Sequence, residues 1–310
     1  MKILALFTLL LTGSTAAFAQ AQKLIVLGVA QDAGYPQIGA TQEFAAVELG
    51  QRQRQNVVSL GVVDEQAGQK FLFEATPDMP AQLFVLNEFW PTPGTLPTGI
   101  FLTHGHIGHY TGLMYLGREA SGAGAVPVYA LPRMANFLTT NAPWSQLVAL
   151  KNMALRPLAA GQPASLNARL RVTPFLVPHR DEFTETVGFE IQGARKKAVF
   201  IPDIDKWSKW SQSLPDVVQH ADYVLLDATF YRNGEIARDM AEVPHPFVEE
   251  TIKLLQALPP AERAKVYFIH FNHTNPLLNP ASPSAPRCCA RVSGWPKKAW
   301  CWACEAAAPG

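Results

Sequence analysis

Three of the eight histidines in this chain fall within six residues, at His104, His106 and His109, directly behind the apolar run 99–102. Imidazole with a free ring nitrogen binds zinc, iron and related metals. In an extended segment leaving a strand, residues two apart point to the same side, so His104 and His106 aim together. His109 opens the next helix, from which its ring can turn back over the same point. Gly105 and Gly108 let the backbone come close. A fold that uses such a cluster must end this strand at an open edge, where further ligands can gather.

Other apolar runs end in the same way. Run 175–177 is followed by Pro178 and His179, run 198–201 by Pro202 and Asp203, run 223–226 by Asp227 and run 267–269 by His270. Strand ends along one sheet edge converge in space, so ligands distant in sequence can meet there. For Asp227, a turn or cap competes evenly with a site role. Asp205 competes with Asp203. His245, between Pro244 and Pro246, is a candidate proton donor to a leaving group, with a plain loop histidine as the competing reading. His273 either turns into the site or bonds within its own loop, and His220 reads as a surface residue. Asp32 lies in the loop 31–36, near the expected cleft; a turn role is preferred to substrate binding. Asp78 reads as a helix cap.

Strands are expected at 23–29, 57–63, 70–74, 99–102, 126–130, 171–177, 187–191, 197–201, 223–226 and 265–269. Helices are expected at 78–89, 111–120, 132–139 and 247–255. Strands with helices interspersed, not strictly alternating, predict two sheets flanked by helices within one domain over 20–278. Before it, Lys2, the apolar run 3–11 and Ala17-Phe18-Ala19 read as an export signal over 1–19, placing the mature protein in a periplasm or outside the cell. That run is too short to span a bilayer, and no later stretch does so. After the domain, 279–310 is rich in Pro, Ala, Cys and Trp without a period, and reads as an irregular tail. All four cysteines (Cys288, Cys289, Cys301 and Cys304) lie in it, which leaves no thiol nucleophile in the body of the fold. Cys301 and Cys304 have the spacing of a small zinc or redox site. A net charge of +1 without a basic stripe argues against a nucleic-acid partner and leaves a small-molecule substrate.

The cluster and the later strand ends together resemble the metallo-β-lactamase superfamily, whose motif H-x-H-x-D-H is followed by a His, an Asp and a last His. His104, His106, His109, His179, Asp203 and His270 match it. The resemblance implies an α+β fold, a four-layer αββα sandwich with the site at one edge of the sheets. A narrower likeness is to the PQQ-synthesis B group, carried by the opening 27–37 (Leu-Gly-Val-Ala-Gln-Asp-Ala-Gly-Tyr-Pro-Gln) and the closing 267–276. That group's cysteines have no counterpart at Ala40-Thr41-Gln42, which argues against a structural zinc there.

The motif's aspartate, a ligand to a second metal in the family, is Gly108 here. His104, His106 and His179 still make a three-histidine site with an open fourth position. Asp203 would bridge to a second, weaker ion held with His109 and His270, so ligand count favours one tight ion over two. Zinc leads, and iron or manganese also suit such a set. The expected function is metal-dependent hydrolysis of an ester, amide, lactone or phosphoester by a metal-bound hydroxide, with Asp203 orienting it or taking its proton. The alternative is a non-hydrolytic binding or carrier protein of the PQQ-synthesis B kind, or an oxidoreductase.

Overall fold

The computed structural model describes residues 22–89, 94, 96–240, 242–279 and 299–301. The export signal read at 1–19 and most of the tail, including Cys288, Cys289 and Cys304, lie outside the described residues. In chain order the strands are β1 (Gln22–Gly28), β2 (Ser59–Asp64), β3 (Gln69–Phe73), β4 (Gly99–Phe101), β5 (Val126–Ala130), β6 (Met153–Pro157), β7 (Ala164–Ser165), β8 (Arg171–Leu176), β9 (Val187–Gln192), β10 (Lys197–Ile201), β11 (Tyr223–Asp227), β12 (Val266–Ile269) and β13 (Ala299–Cys301). The helices are α1 (Thr41–Glu48), α2 (Met79–Phe89), α3 (Ile107–Tyr110), α4 (Pro132–Thr140), α5 (Trp144–Ala149), α6 (Leu214–Gln219), α7 (Val248–Leu255) and α8 (Pro260–Arg263).

They form two mixed sheets, ordered β13-β1-β2-β3-β4-β5-β6 and β12-β11-β10-β9-β8-β7. Period-two alternation sorts the side chains of the first sheet. Leu60, Val62, Phe71, Phe73 and Phe101 face the second sheet, while Val63, Leu72, Ile100 and Val128 face the outer helices. Between the sheets, Phe73 meets Phe189 at 5.5 Å and Phe200 at 6.4 Å between ring centres. Phe101 stacks on Phe73 at 4.8 Å. On the outer face of the first sheet, Leu83 and Leu86 of α2, Met134 and Leu138 of α4, and Trp144 and Leu147 of α5 close a second core. Leu214 and Val218 of α6 and Val248 and Leu255 of α7 cover the other sheet. The result is the expected four-layer αββα sandwich.

Three local expectations change. Asp78 precedes α2, but its carboxylate accepts from the backbone N–H of Val57 at 2.8 Å instead of capping the helix. Residues 111–120 do not form an α-helix. The four-residue α3 is followed by a 3₁₀ turn at Thr111–Leu116. Here the backbone of Gly112 is pressed onto the loop behind β3: its N–H donates to Ala75 O at 2.8 Å, and a Cβ at this glycine would stand 2.1 Å from Thr76 O. Within the segment read as an irregular tail, Ala299–Cys301 lies antiparallel along β1. No helix among the described residues is long and apolar enough to cross a membrane.

Candidate metal centre

β3 and β4 run parallel, as do β10, β11 and β12, and two antiparallel steps bring β8 into the direction of β10. The C-terminal ends of these strands therefore open on a shared edge, as the sequence pattern required. β4 leads through Leu102 and Thr103 to His104 and His106. β8 leads to His179, β10 to Asp203, β11 ends on Asp227, and β12 leads directly to His270. His109 comes back over the edge from α3.

The side chains meet. Nε2 of His104 and Nδ1 of His106 are 2.8 Å apart, and the two ring centres stand 5.5 and 5.0 Å from that of His179. One nitrogen from each lies within 4.8 Å of the other two. Asp203 sits among all of them. Its Oδ2 is 2.9 Å from Nε2 of His109, 3.2 Å from Nε2 of His270 and 3.7 Å from Nε2 of His104, and its Oδ1 is 3.6 Å from Nε2 of His179. Apart from His106, whose side chain is partly exposed, these side chains are buried.

The donor chemistry fits a metal. Nε2 of His109, His179 and His270 and Oδ2 of Asp203 are all buried without a hydrogen-bond partner among the described residues. Each buried polar atom left unpaired costs about 1–3 kcal/mol. These atoms fall into adjoining donor sets, His179 with His104 and His106, and His109 with Asp203 and His104 or with His270 and Asp32, and cations held there would satisfy them. Imidazoles with one carboxylate are the donors that zinc and similar ions take.

A surrounding layer sets the ring orientations. Nδ1 of His104 contacts Thr103 Oγ1 at 2.8 Å, and Nδ1 of His270 contacts Thr229 Oγ1 at 2.8 Å. Nδ1 of His109 lies 3.2 Å from Oε2 of Glu74, which is fully buried. Such partners fix the nitrogen a histidine offers to a metal. Glu74 and His270 both hold left-handed backbone, with φ of 74° and 63°, a conformation that costs a non-glycine residue about 1–3 kcal/mol and clusters at functional sites. Burial pushes His104 well below the ordinary imidazole pKa and lowers His179 and His270 as well, favouring the neutral, ligating form. Burial also opposes charge on His109, but Asp203, Asp32 and Glu74 outweigh it and hold its pKa well above the usual value.

His245 joins the site from its loop. Its Nδ1 contacts Asp227 Oδ2 at 2.7 Å and stands 3.5 Å from Asp203 Oδ1. Asp227 serves both readings: it accepts from the backbone N–H groups of Ile204 and Thr229 as a turn residue would, and it anchors His245. Asp205 turns away and pairs with Lys209 at 2.7 Å. His273 reaches neither the site nor its own loop but Glu43 of α1, at 2.7 Å. His220 stays on the surface, its ring against Asp216 O of its own helix. Two carboxylates were not assigned to the site from sequence. Glu74 reads only as the last residue of a strand, and Asp32 reads as a turn. The one available signal for Asp32 is its place in the Gly/Pro loop behind the first strand, near the expected cleft.

The Beta-lactamase superfamily domain model matches residues 69–271. Coenzyme PQQ synthesis protein B of Xanthomonas axonopodis pv. citri is 28% identical over 88% of this chain and 96% of its own length. Among solved structures, Zn(2+)-bound PqqB from Methylobacterium extorquens superposes with a TM-score of 0.70 at 21% identity, over 84% of this chain and 93% of that one. A diphosphatase from the PhnP family superposes with a TM-score of 0.59 at 20% identity, over 82% and 88%. This chain belongs to the beta-lactamase superfamily, with the metallo-β-lactamase fold in its PqqB-like form.

Proposed function

We propose that this protein is a metal-dependent hydrolase, with zinc as its ion, that cleaves an ester, amide, lactone or phosphoester in a small molecule. The observation that carries this reading is the set of buried imidazole and carboxylate atoms, unpartnered and converging at the open edge of the sandwich. His104, His106 and His179 hold the ion, with Asp203 beside them. A bound divalent ion supplies Lewis acidity and a water whose pKa falls to about 7. Asp203 orients the attacking water and takes its proton. His245, its Nδ1 held by Asp227, offers its other ring nitrogen to protonate the leaving group. The export signal read at the N-terminus puts this activity in a periplasm or outside the cell.

The test is turnover of an activated phosphodiester, phosphomonoester, carboxylic ester and lactone by zinc-loaded protein, with and without a chelator. Hydrolysis of at least one, abolished by the chelator and by His179→Ala, is the expected result. Zinc-loaded protein inert to all four contradicts the hydrolytic reading. The relatives named for coenzyme PQQ synthesis favour a second reading, in which the same fold serves quinone-cofactor assembly as a carrier or as an iron oxidoreductase. Tight quinone binding without turnover, or oxygen consumption by iron-loaded protein, would select it.

A further inference from the structure

The family motif leaves position 108 without a carboxylate, but the space beside Gly108 is filled. A Cβ built on Gly108 would stand 2.2 Å from Oδ1 and 2.5 Å from Cα of Asp32. No side chain fits at position 108 while Asp32 holds this place. Oδ1 of Asp32 lies 3.3 Å from Nε2 of His109. It shares a second donor set with His109 and His270, one atom from each lying within 4.8 Å of the other two, apart from the set formed by His104, His106 and His179. Oδ1 of Asp32 and Nε2 of both histidines are buried without hydrogen-bond partners among the described residues.

From these facts we infer that Asp32 is a ligand for a second metal ion, held with His109 and His270 and joined to the first through Asp203. The inference rests on the metal-site reading above.

The loop carrying Asp32 is built for this. Gln31 N–H donates to Phe271 O at 2.8 Å, and Phe271 N–H donates to Val29 O at 2.8 Å. Asn272 Nδ2 donates to Gln31 Oε1 at 2.7 Å. The backbone before Asp32 is thus tied to the backbone directly behind His270, so two ligands from opposite ends of the domain are fixed to each other. The side-chain partners of the two rings complete the set, with Thr229 at Nδ1 of His270 and Glu74 at Nδ1 of His109. Asp203 Oδ2, at 2.9 Å from His109 Nε2 and 3.7 Å from His104 Nε2, stands between the two donor sets. The carboxylate that sequence spacing finds missing at 108 is supplied from a loop 76 residues earlier, and Gly108 is the space that admits it.

The test is zinc stoichiometry and affinity of the full chain, stripped with chelator and titrated with zinc chloride, for wild type, Asp32→Ala and the isosteric Asp32→Asn. Wild type is expected to bind two ions per chain. Both variants are expected to keep the first ion with its affinity within about threefold of wild type and to bind the second more than about 100-fold more weakly, beyond the 10–100-fold that loss of an outer partner costs. Melting of the metal-free proteins checks that each variant folds, and the asparagine form serves if alanine does not. Two ions bound with unchanged affinity by either folded variant, or a single ion in wild type, overturns the inference while leaving the three-histidine site standing. No ion in wild type removes the underlying reading instead.

Discussion

Glu74 Oε2 lies 3.2 Å from Nδ1 of His109, and neither side chain is exposed to solvent. Glu74 also accepts from the backbone N–H of Thr103 at 3.1 Å, so one carboxylate braces both the ring of His109 and the segment that delivers His104. Glu74→Gln keeps the shape and the bond to Thr103 while removing the charge behind the ring. Zinc affinity at the site containing His109 is expected to fall about 10–100-fold, read by competition with a chromogenic chelator. Unchanged affinity would show that Glu74 is only a packing residue.

Asp203 and Asp205 have the same chemistry and stand two residues apart, yet only Asp203 points into the cluster. Asp203→Ala is expected to abolish turnover and to weaken binding of the ion that shares Asp203 with His109, while His104, His106 and His179 keep the first ion. Asp205→Ala removes the pair with Lys209 and the bond it accepts from the Lys206 backbone N–H, both outside the cluster, and is expected to cost about 0.5–1.5 kcal/mol, with zinc content unchanged. Paired metal analyses and thermal melts of the two variants make the comparison.

His245→Gln tests the assignment of the proton donor. It removes the titrating ring but none of the three histidines around the first ion. Zinc content is expected to stay at the wild-type level while kcat falls about 10²–10⁴-fold, with the smallest loss on substrates whose leaving group needs no protonation. An equal loss on every substrate points instead to a positioning role.

The legible part of this protein was its strand grammar. Apolar runs at 57–63, 70–74, 197–201 and 223–226 give the sheets because inner and outer faces are both buried. His104, His179, Asp203 and His270 are legible because each stands just past the end of an apolar run. Residues that act through space left no such mark. Glu74 looks like the end of a strand, and Asp32 like a turn, because their partners His109 and Gly108 are far off in sequence. α1 carries no apolar stripe in the sequence because none of its residues is buried. β13 is only three residues long, too short for a period to register.

At the edge opposite the site, buried Asp64 holds the two sheets together, with Gln22 on its Oδ2 at 2.8 Å and Arg169 on its Oδ1. Burial pushes this carboxyl up, but Gln22, the Ala67 backbone and Arg169 more than offset it and leave its pKa below the ordinary range. A depressed folded-state pKa stabilises the fold above the unfolded carboxylate value, about 3.9, and that contribution is lost as pH falls through the folded value. Arg169→Met is expected to cost about 2 kcal/mol at neutral pH. The stability gap between wild type and Asp64→Asn should narrow as pH drops below about 4. Urea melts across that range provide the measurement; a gap independent of pH would contradict the assignment.

Phe73 stacks on Phe101 and meets Phe189 and Phe200 edge-on across the sheets. Phe73→Ala is expected to destabilise the protein by about 3–5 kcal/mol through the cavity it leaves, measured by chemical denaturation of the metal-free form.

The central claim is that histidines and an aspartate from separate strand ends together grip an ion. Elemental analysis of the purified full chain, beside a His104→Ala/His179→Ala double variant shown by its melt to be folded, tests it most directly. Wild type is expected to carry at least one equivalent of zinc or a similar transition metal, and the variant is expected to lose the ion held by His104, His106 and His179, since two of its three nitrogen ligands are gone. Wild-type protein without metal, even after zinc is offered in excess, or a folded variant that keeps its full complement, would contradict it.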